Sequence, residues 1–282
     1  MIRDLPFRRD IAVNGIDMAV WEWPGEGPPL LFCHATSFHA RCWDQAVTHL
    51  PGRRVFAVDL RGHGASSKPQ PPYSWRTLGE DVAGLVRALG LTGATGIGHS
   101  MGGHTLVLAA AHVPDVFARL VLLDPVIFPR ASYTGARTEE HFAARRRNRW
   151  SSADEMYDRF AARPPFANWN RAVLRDYCRY GLTPAPDGDG LVLACPPAVE
   201  ASIYMQSTDP KANIYDEIKT IQIPVRIIRS ARMATDGPTD MTGSPTASDL
   251  ASYFSHGEDR LDREHSHLFP MEAPELSPKW IE

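Results

Sequence analysis

The chain has no C-x-x-C pair and only four cysteines in 282 residues, Cys33, Cys42, Cys178 and Cys195. Their spacing, with no clustering beside histidine, excludes a legible zinc site or disulfide framework. Cys33 sits in an apolar run, as a small buried hydrophobe would. Charge of one sign is also lacking. A net charge of −3 leaves no basic footprint for nucleic acid. The nearest basic stretch, ARRRNRW at Ala144 to Trp150, is short and followed by acids. It reads as a solvated helix face, with steering of an anionic substrate as the alternative. No segment approaches membrane-spanning length, and MIRDLPFRRD carries charges without the apolar run of a leader. The expectation is a cytoplasmic protein with free thiols, no membrane contact and no legible oligomeric state.

What is present is ordinary globular material: 43% hydrophobic and 22% charged residues, enough chain for one large domain or one domain with an insertion. Asn14-Gly15 between two alternating apolar runs is a strong hairpin signal. PPLLFCH, RRVFAVD, ATGIGHS and FARLVLLDP read as buried strands. Between them, Ser74 looks like the N-cap of a helix in which Leu78, Val82, Leu85, Val86 and Leu89 recur at helical spacing. MGGHTLVLAAAH reads as a second, apolar helix. Continuous apolar strands alternating with helices predict an α/β fold, a mostly parallel sheet with helices on both faces. From Pro129 to Asn213 the pattern breaks into aromatic-rich, helix-like segments with no evident buried strand. The strands resume at IPVRIIRS. The expected organisation is a core of residues 1–128 and 214–282 with a helical insertion over 129–213.

GIGHSMGG places Ser100 in G-x-S-x-G between an apolar strand and an apolar helix. Glycines flank it because a sharp strand-to-helix turn crowds its neighbours while lifting the hydroxyl clear of the sheet. FCHATSFHARCW, DLRGHGASSKP, GHSMGG and SHLFPMEAPE, in that order, resemble the H-G-x, D-x-R-G-x-G-x-S, nucleophile-elbow and histidine segments of the α/β-hydrolases. The resemblance covers nearly the whole chain and implies that fold with a helical cap. It further implies a Ser-His-acid triad needing no metal or organic cofactor, and a small-molecule ester or lactone as substrate. His267 then matches the general base, with His265 as its rival. The oxyanion donors would be the N–H of Met101 and that of Thr36, although Ala35 stands where glycine is usual and leaves the choice between Ala35 and Thr36 open. His34 and His99 are each weighed as holding the backbone in shape or facing substrate; His63 and His104 read as structural.

The acid is the open question. The loop after PVRIIRS has Met233 where the family places a carboxylate. Asp124, at the end of LVLLDP, is the favoured candidate, with Asp236 and Asp240 further along that loop as alternatives. An aspartate before proline can also simply accept backbone bonds in a turn. In the insertion, Trp150, Phe160, Phe166, Trp169, Tyr177 and Tyr204 suggest an apolar pocket, Trp169 and Tyr204 being singled out for substrate contact, or else the insertion's own core. A C–C bond hydrolase, a cofactor-free perhydrolase and a ligand receptor with a vestigial triad are other uses of the same residues.

Overall fold

The protein, described by a computed structural model over residues 5–233 and 240–282, is organised around one eight-stranded sheet. Its strands are β1 (Phe7–Val13), β2 (Ile16–Trp23), β3 (Glu26–Cys33), β4 (Arg53–Val58), β5 (Ala94–His99), β6 (Phe117–Leu123), β10 (Val225–Ser230) and β11 (Gly257–Asp262). Three short strands, β7 (Arg149–Trp150), β8 (Leu182–Pro184) and β9 (Leu191–Leu193), lie between β6 and β10 in the chain and form a separate sheet. The main order is β1-β2-β4-β3-β5-β6-β10-β11. The first two pairings are antiparallel, and every pairing from β4 through β11 is parallel. Asn14 and Gly15 turn β1 into β2 with φ of 47° and 76°, the left-handed values a tight hairpin requires.

β5 is buried at all six positions, as a strand covered on both faces should be. The helix Trp75–Ala88 buries Leu78, Val82, Leu85 and Val86 on one face, as their spacing predicts. Ser74 occupies its N-cap position in extended backbone, but its side chain makes no capping bond. The start of this helix is fixed instead by the Trp75 indole, which donates to Ile203 O at 2.8 Å. All four cysteines are free and buried. No helix among the described residues is long and apolar enough to cross a membrane.

The 129–213 segment contains the helices Ala153–Ala161, Arg171–Tyr180 and Pro197–Met205. It also contains β7, β9 and β8, paired antiparallel, so the segment expected to be helical carries a small sheet beside its helices. Strands of two and three residues are too short for alternation to register in a sequence. Residues 185–190, APDGDG, form the connection between β8 and β9. Nor does this segment keep a core to itself. Trp150, Trp169 and Tyr177 share one apolar cluster with Phe38 and Trp43. Phe38 meets Trp169 and Tyr177 edge-on, at 5.2 and 5.5 Å between ring centroids.

The helix after β5, Met101–His112, packs so closely on β3 that a Cβ on Gly102 would run into the Cys33 carbonyl. Helix propensity alone favours alanine over glycine by about 1 kcal/mol. The contact predicts the opposite sign: overpacking against backbone costs about 1–3 kcal/mol. Gly102→Ala should therefore lower the midpoint of thermal unfolding by roughly 5 °C, read by calorimetry. An unchanged or higher midpoint would show that the approach is not close enough to matter.

Candidate active site

Ser100 stands between β5 and the helix Met101–His112 with φ 55° and ψ −118°, a conformation non-glycine residues rarely adopt. Its N–H donates to Leu123 O at 3.0 Å, and its carbonyl accepts from Val126 N at 3.0 Å, so the turn is clamped to the end of β6. The next residue after β6 is Asp124, also left-handed at φ 45°. His267 lies in the loop that follows β11, its N–H donating to Thr242 O at 2.9 Å. The flanking Ser266 donates through both its N–H and its hydroxyl to the Glu272 carboxylate, which fixes the loop from the other side.

These elements bring Ser100, His267 and Asp124 into one hydrogen-bonded line. His267 Nε2 is 3.0 Å from Ser100 Oγ, and its Nδ1 is 2.9 Å from Asp124 Oδ2. A carboxylate can only accept, so Nδ1 carries the proton and Nε2 is left as the acceptor facing the serine hydroxyl. Such a line can take a proton from the hydroxyl while oxygen attacks an electrophile, and hold the resulting imidazolium against the carboxylate.

Asp124 is fully buried. Ser244 Oγ donates to its Oδ1 at 2.5 Å, and Thr246 Oγ1 lies 2.9 Å from the same oxygen and 2.7 Å from Pro125 O. The threonine has one proton for two acceptors, so the serine is the steadier donor. Of the rival positions among the described residues, none joins this line. Met233 is exposed, and Asp240 accepts from the N–H and hydroxyl of Thr242. Asp236 lies outside the described residues. His265 pairs with Asp262 at 2.9 Å, away from Ser100. Ser244 and Thr246 escaped the sequence reading; hydroxyl residues carry no signal of what they will face.

The loop after β3 passes close by. Thr36 Oγ1 donates to Met101 Sδ at 3.4 Å, which brings the two expected oxyanion residues into contact. Two histidines shape this loop. His34 Nδ1 donates to Ala35 O at 2.7 Å, and its Nε2 accepts from Leu60 N at 3.0 Å. His63 Nδ1 donates to Arg61 O at 3.0 Å, and its Nε2 accepts from Ser37 N at 3.1 Å. Burial pushes both imidazoles down to about 3, so they stay neutral, as these bonds require. The substrate-facing alternative for His34 is thereby corrected, since both ring nitrogens are spent on backbone. His99 is corrected on a different ground: its ring is fully buried, and Nε2 donates to His267 O at 2.9 Å, so it ties down the backbone of His267. Burial drives the His99 imidazole well below the usual histidine range, and a neutral ring 5.0 Å from His267 does not repel a proton gained there.

Ser100 and His267 open on a cavity of about 370 Å³ walled by Phe38, Phe160, Phe166, Trp169 and Tyr177, with Tyr204 at its side. Both residues singled out for substrate contact, Trp169 and Tyr204, line it. Burial pushes the Tyr177 phenol up to about 12, which keeps it a neutral hydroxyl. A second cavity of about 840 Å³, on the side of loop 240–248, meets the first at Thr36, Ser100, Tyr204, Met241 and His267. The ARRRNRW stretch is not a helix face: it runs from a short 3₁₀ turn into β7, and Arg146 and Arg147 line the smaller cavity.

Comparison with known proteins agrees with this architecture. The profile of the alpha/beta hydrolase family matches residues 30–276. The 2-(acetamidomethylene)succinate hydrolase of Mesorhizobium japonicum is 36% identical over 117 residues, a match covering 41% of this chain and 42% of that enzyme. The match thus spans well under half the length of this curated relative. A bifunctional esterase/perhydrolase of Acinetobacter calcoaceticus is 26% identical over 230 residues, 76% of this chain and 78% of its own. A crystal structure of an E-2-(acetamidomethylene)succinate hydrolase superposes with a TM-score of 0.75 over 98% of this chain and 97% of the other, at 22% identity, which speaks for the fold. With the family profile spanning both the elbow and the histidine loop, this chain belongs to the alpha/beta hydrolase family.

Proposed function

We propose that the protein is a serine hydrolase of carboxylic esters or lactones, working in the cytoplasm on a small to medium, largely apolar molecule. The observation that carries this reading is the line of hydrogen bonds from Ser100 through His267 to buried Asp124, open to an aromatic cavity. In the reaction, Ser100 Oγ attacks the acyl carbon as its proton passes to His267 Nε2. Negative charge then develops on the former carbonyl oxygen. The backbone N–H groups of Met101 and Thr36 are assigned to receive it, each contributing about 3 kcal/mol in such a position. The protonated His267 returns its proton to the departing alcohol oxygen, leaving Ser100 acylated. Water, deprotonated by His267, releases the acid. In a lactone the alcohol and acid remain one molecule, and the chemistry is otherwise the same.

Residues 129–213 serve in this reading as a cap over the core of 1–128 and 214–282, with Trp169 and Tyr204 against the substrate. Excluding water there strengthens the bonds to the oxyanion. The esterase/perhydrolase relative keeps one further variation in view, in which peroxide takes the place of water at the acyl-enzyme.

Hydrolysis of a short-chain p-nitrophenyl ester tests the reading directly. Asp124→Asn should reduce kcat by about a thousandfold or more, because an amide can present the wrong group to Nδ1 and hold the wrong tautomer. Near-normal turnover by that variant would remove Asp124 from the chemistry, and a wild type inert toward a broad panel of esters and lactones would remove the hydrolase assignment. Ser244→Ala probes the support of the acid. Hydrogen bonds to charged groups are worth about 1.5–3 kcal/mol, so a loss of roughly tenfold in kcat is expected, with the fold intact by circular dichroism. An unchanged kcat would mean that Thr246 alone suffices.

A further inference from the structure

We propose that the substrate carries a carboxylate and that Arg146 receives it in the 370 Å³ cavity. This deepens the hydrolase reading, on which it rests for where the bond is cut, but the anion site stands on its own observations.

The cavity that reaches Ser100 is lined by Arg146, Arg147, Arg159 and Arg163, against one acid, Glu200. Arg147 is engaged elsewhere, with Glu155 at 2.6 Å and over the Trp150 ring at 4.1 Å. Arg146 is held from two sides: Nη1 donates to Glu200 Oε2 at 2.7 Å, and Nη2 donates to the Tyr177 hydroxyl at 2.6 Å. A guanidinium has five N–H groups. Two are used here, and the side chain keeps 21% of its surface open while lining the cavity. Two bonds fix the plane of the group and leave three N–H groups for a ligand. That is how a bidentate receptor for a planar carboxylate is built.

Glu200 offsets the charge of Arg146, and the surplus comes from Arg159 and Arg163. Both are exposed at the rim, and neither side chain makes a hydrogen bond or ion pair among the described residues. Positive charge in excess of negative, around a cavity that is otherwise apolar, selects an anionic end on an apolar molecule.

Monoethyl esters of succinate, glutarate and adipate, compared with ethyl butyrate, valerate and hexanoate, test this. The best acid ester should exceed its neutral counterpart at least tenfold in kcat/KM. In Arg146→Gln/Glu200→Gln, which removes both charges and keeps hydrogen-bonding groups, that ratio should fall to about one. Arg159→Gln/Arg163→Gln, on the exposed rim, should lower it severalfold and blunt its dependence on salt, since exposed charges are screened within about 8 Å at physiological ionic strength. Glutarate is titrated separately into Ser100→Ala protein by calorimetry. Neutral and acid esters cleaved alike by the wild type would overturn the proposal and leave the hydrolase reading intact. A preference that survives Arg146→Gln/Glu200→Gln would overturn the role of Arg146. Glutarate bound by Ser100→Ala and lost on adding Arg146→Gln/Glu200→Gln, with no ester of either kind hydrolysed, would uphold the anion site while removing the hydrolase reading.

Discussion

Burial of the Asp124 carboxylate sets the terms for the rest of the site. A charge taken out of water costs several kcal/mol unless donors replace its hydration. Here the donors come from far along the chain: His267, 143 residues away, on one oxygen, and Ser244 and Thr246, 120 and 122 residues away, on the other. One buried group therefore draws together the end of β6, the loop after β10 and the loop after β11. Removing any one partner leaves the carboxylate short of a donor. The active constellation and the local fold thus stand on the same bonds.

Strand order explains how Asp124 comes into line with Ser100 and His267. Neighbouring strands are about 4.8 Å apart, and β6 lies directly beside β5, which ends just before Ser100. A carboxylate at the end of β6 is one strand from Ser100, and the His267 loop reaches back from β11 across β10 to complete the line. The loop after β10 supplies a pair of hydroxyls, from Ser244 and Thr246, to the far oxygen of Asp124.

Much of this was legible before the structure, and for identifiable reasons. The fold could be read because β3 and β6 end in apolar runs, LLFC and LVLL, and the helix Trp75–Ala88 keeps helical spacing. Ser100 could be placed because G-x-S-x-G reports a backbone constraint, and His267 because a proline-rich signature follows it. Asp124 could be favoured only by the missing carboxylate at Met233. What was not legible depends on contacts between distant segments. The residues Ser244 and Thr246 look like ordinary loop hydroxyls, and the roles of His34 and His99 turn on which backbone atoms fold against them. The arginines at 146 and 147 read as solvent-facing because the stretch was taken as a helix. A 3₁₀ turn running into a two-residue strand instead directs both against the cavity.

Strain and support meet at the ends of β5 and β6. Ser100 and Asp124 both hold positive φ, a conformation costing a non-glycine residue about 1–3 kcal/mol. Such a conformation persists only where its surroundings over-determine it. The Ser100 N–H and carbonyl are both tied to β6 and its extension, while the Asp124 N–H donates to Ile228 O in β10 at 2.7 Å. Each strained residue is thus locked by the next strand in the sheet, β6 holding Ser100 and β10 holding Asp124. Ser100 and Asp124 are thus positioned by one continuous ladder of parallel strands. Most of the side chains walling the smaller cavity come instead from residues 129–213. In the hydrolase reading, chemistry and selectivity therefore rest on different parts of the chain.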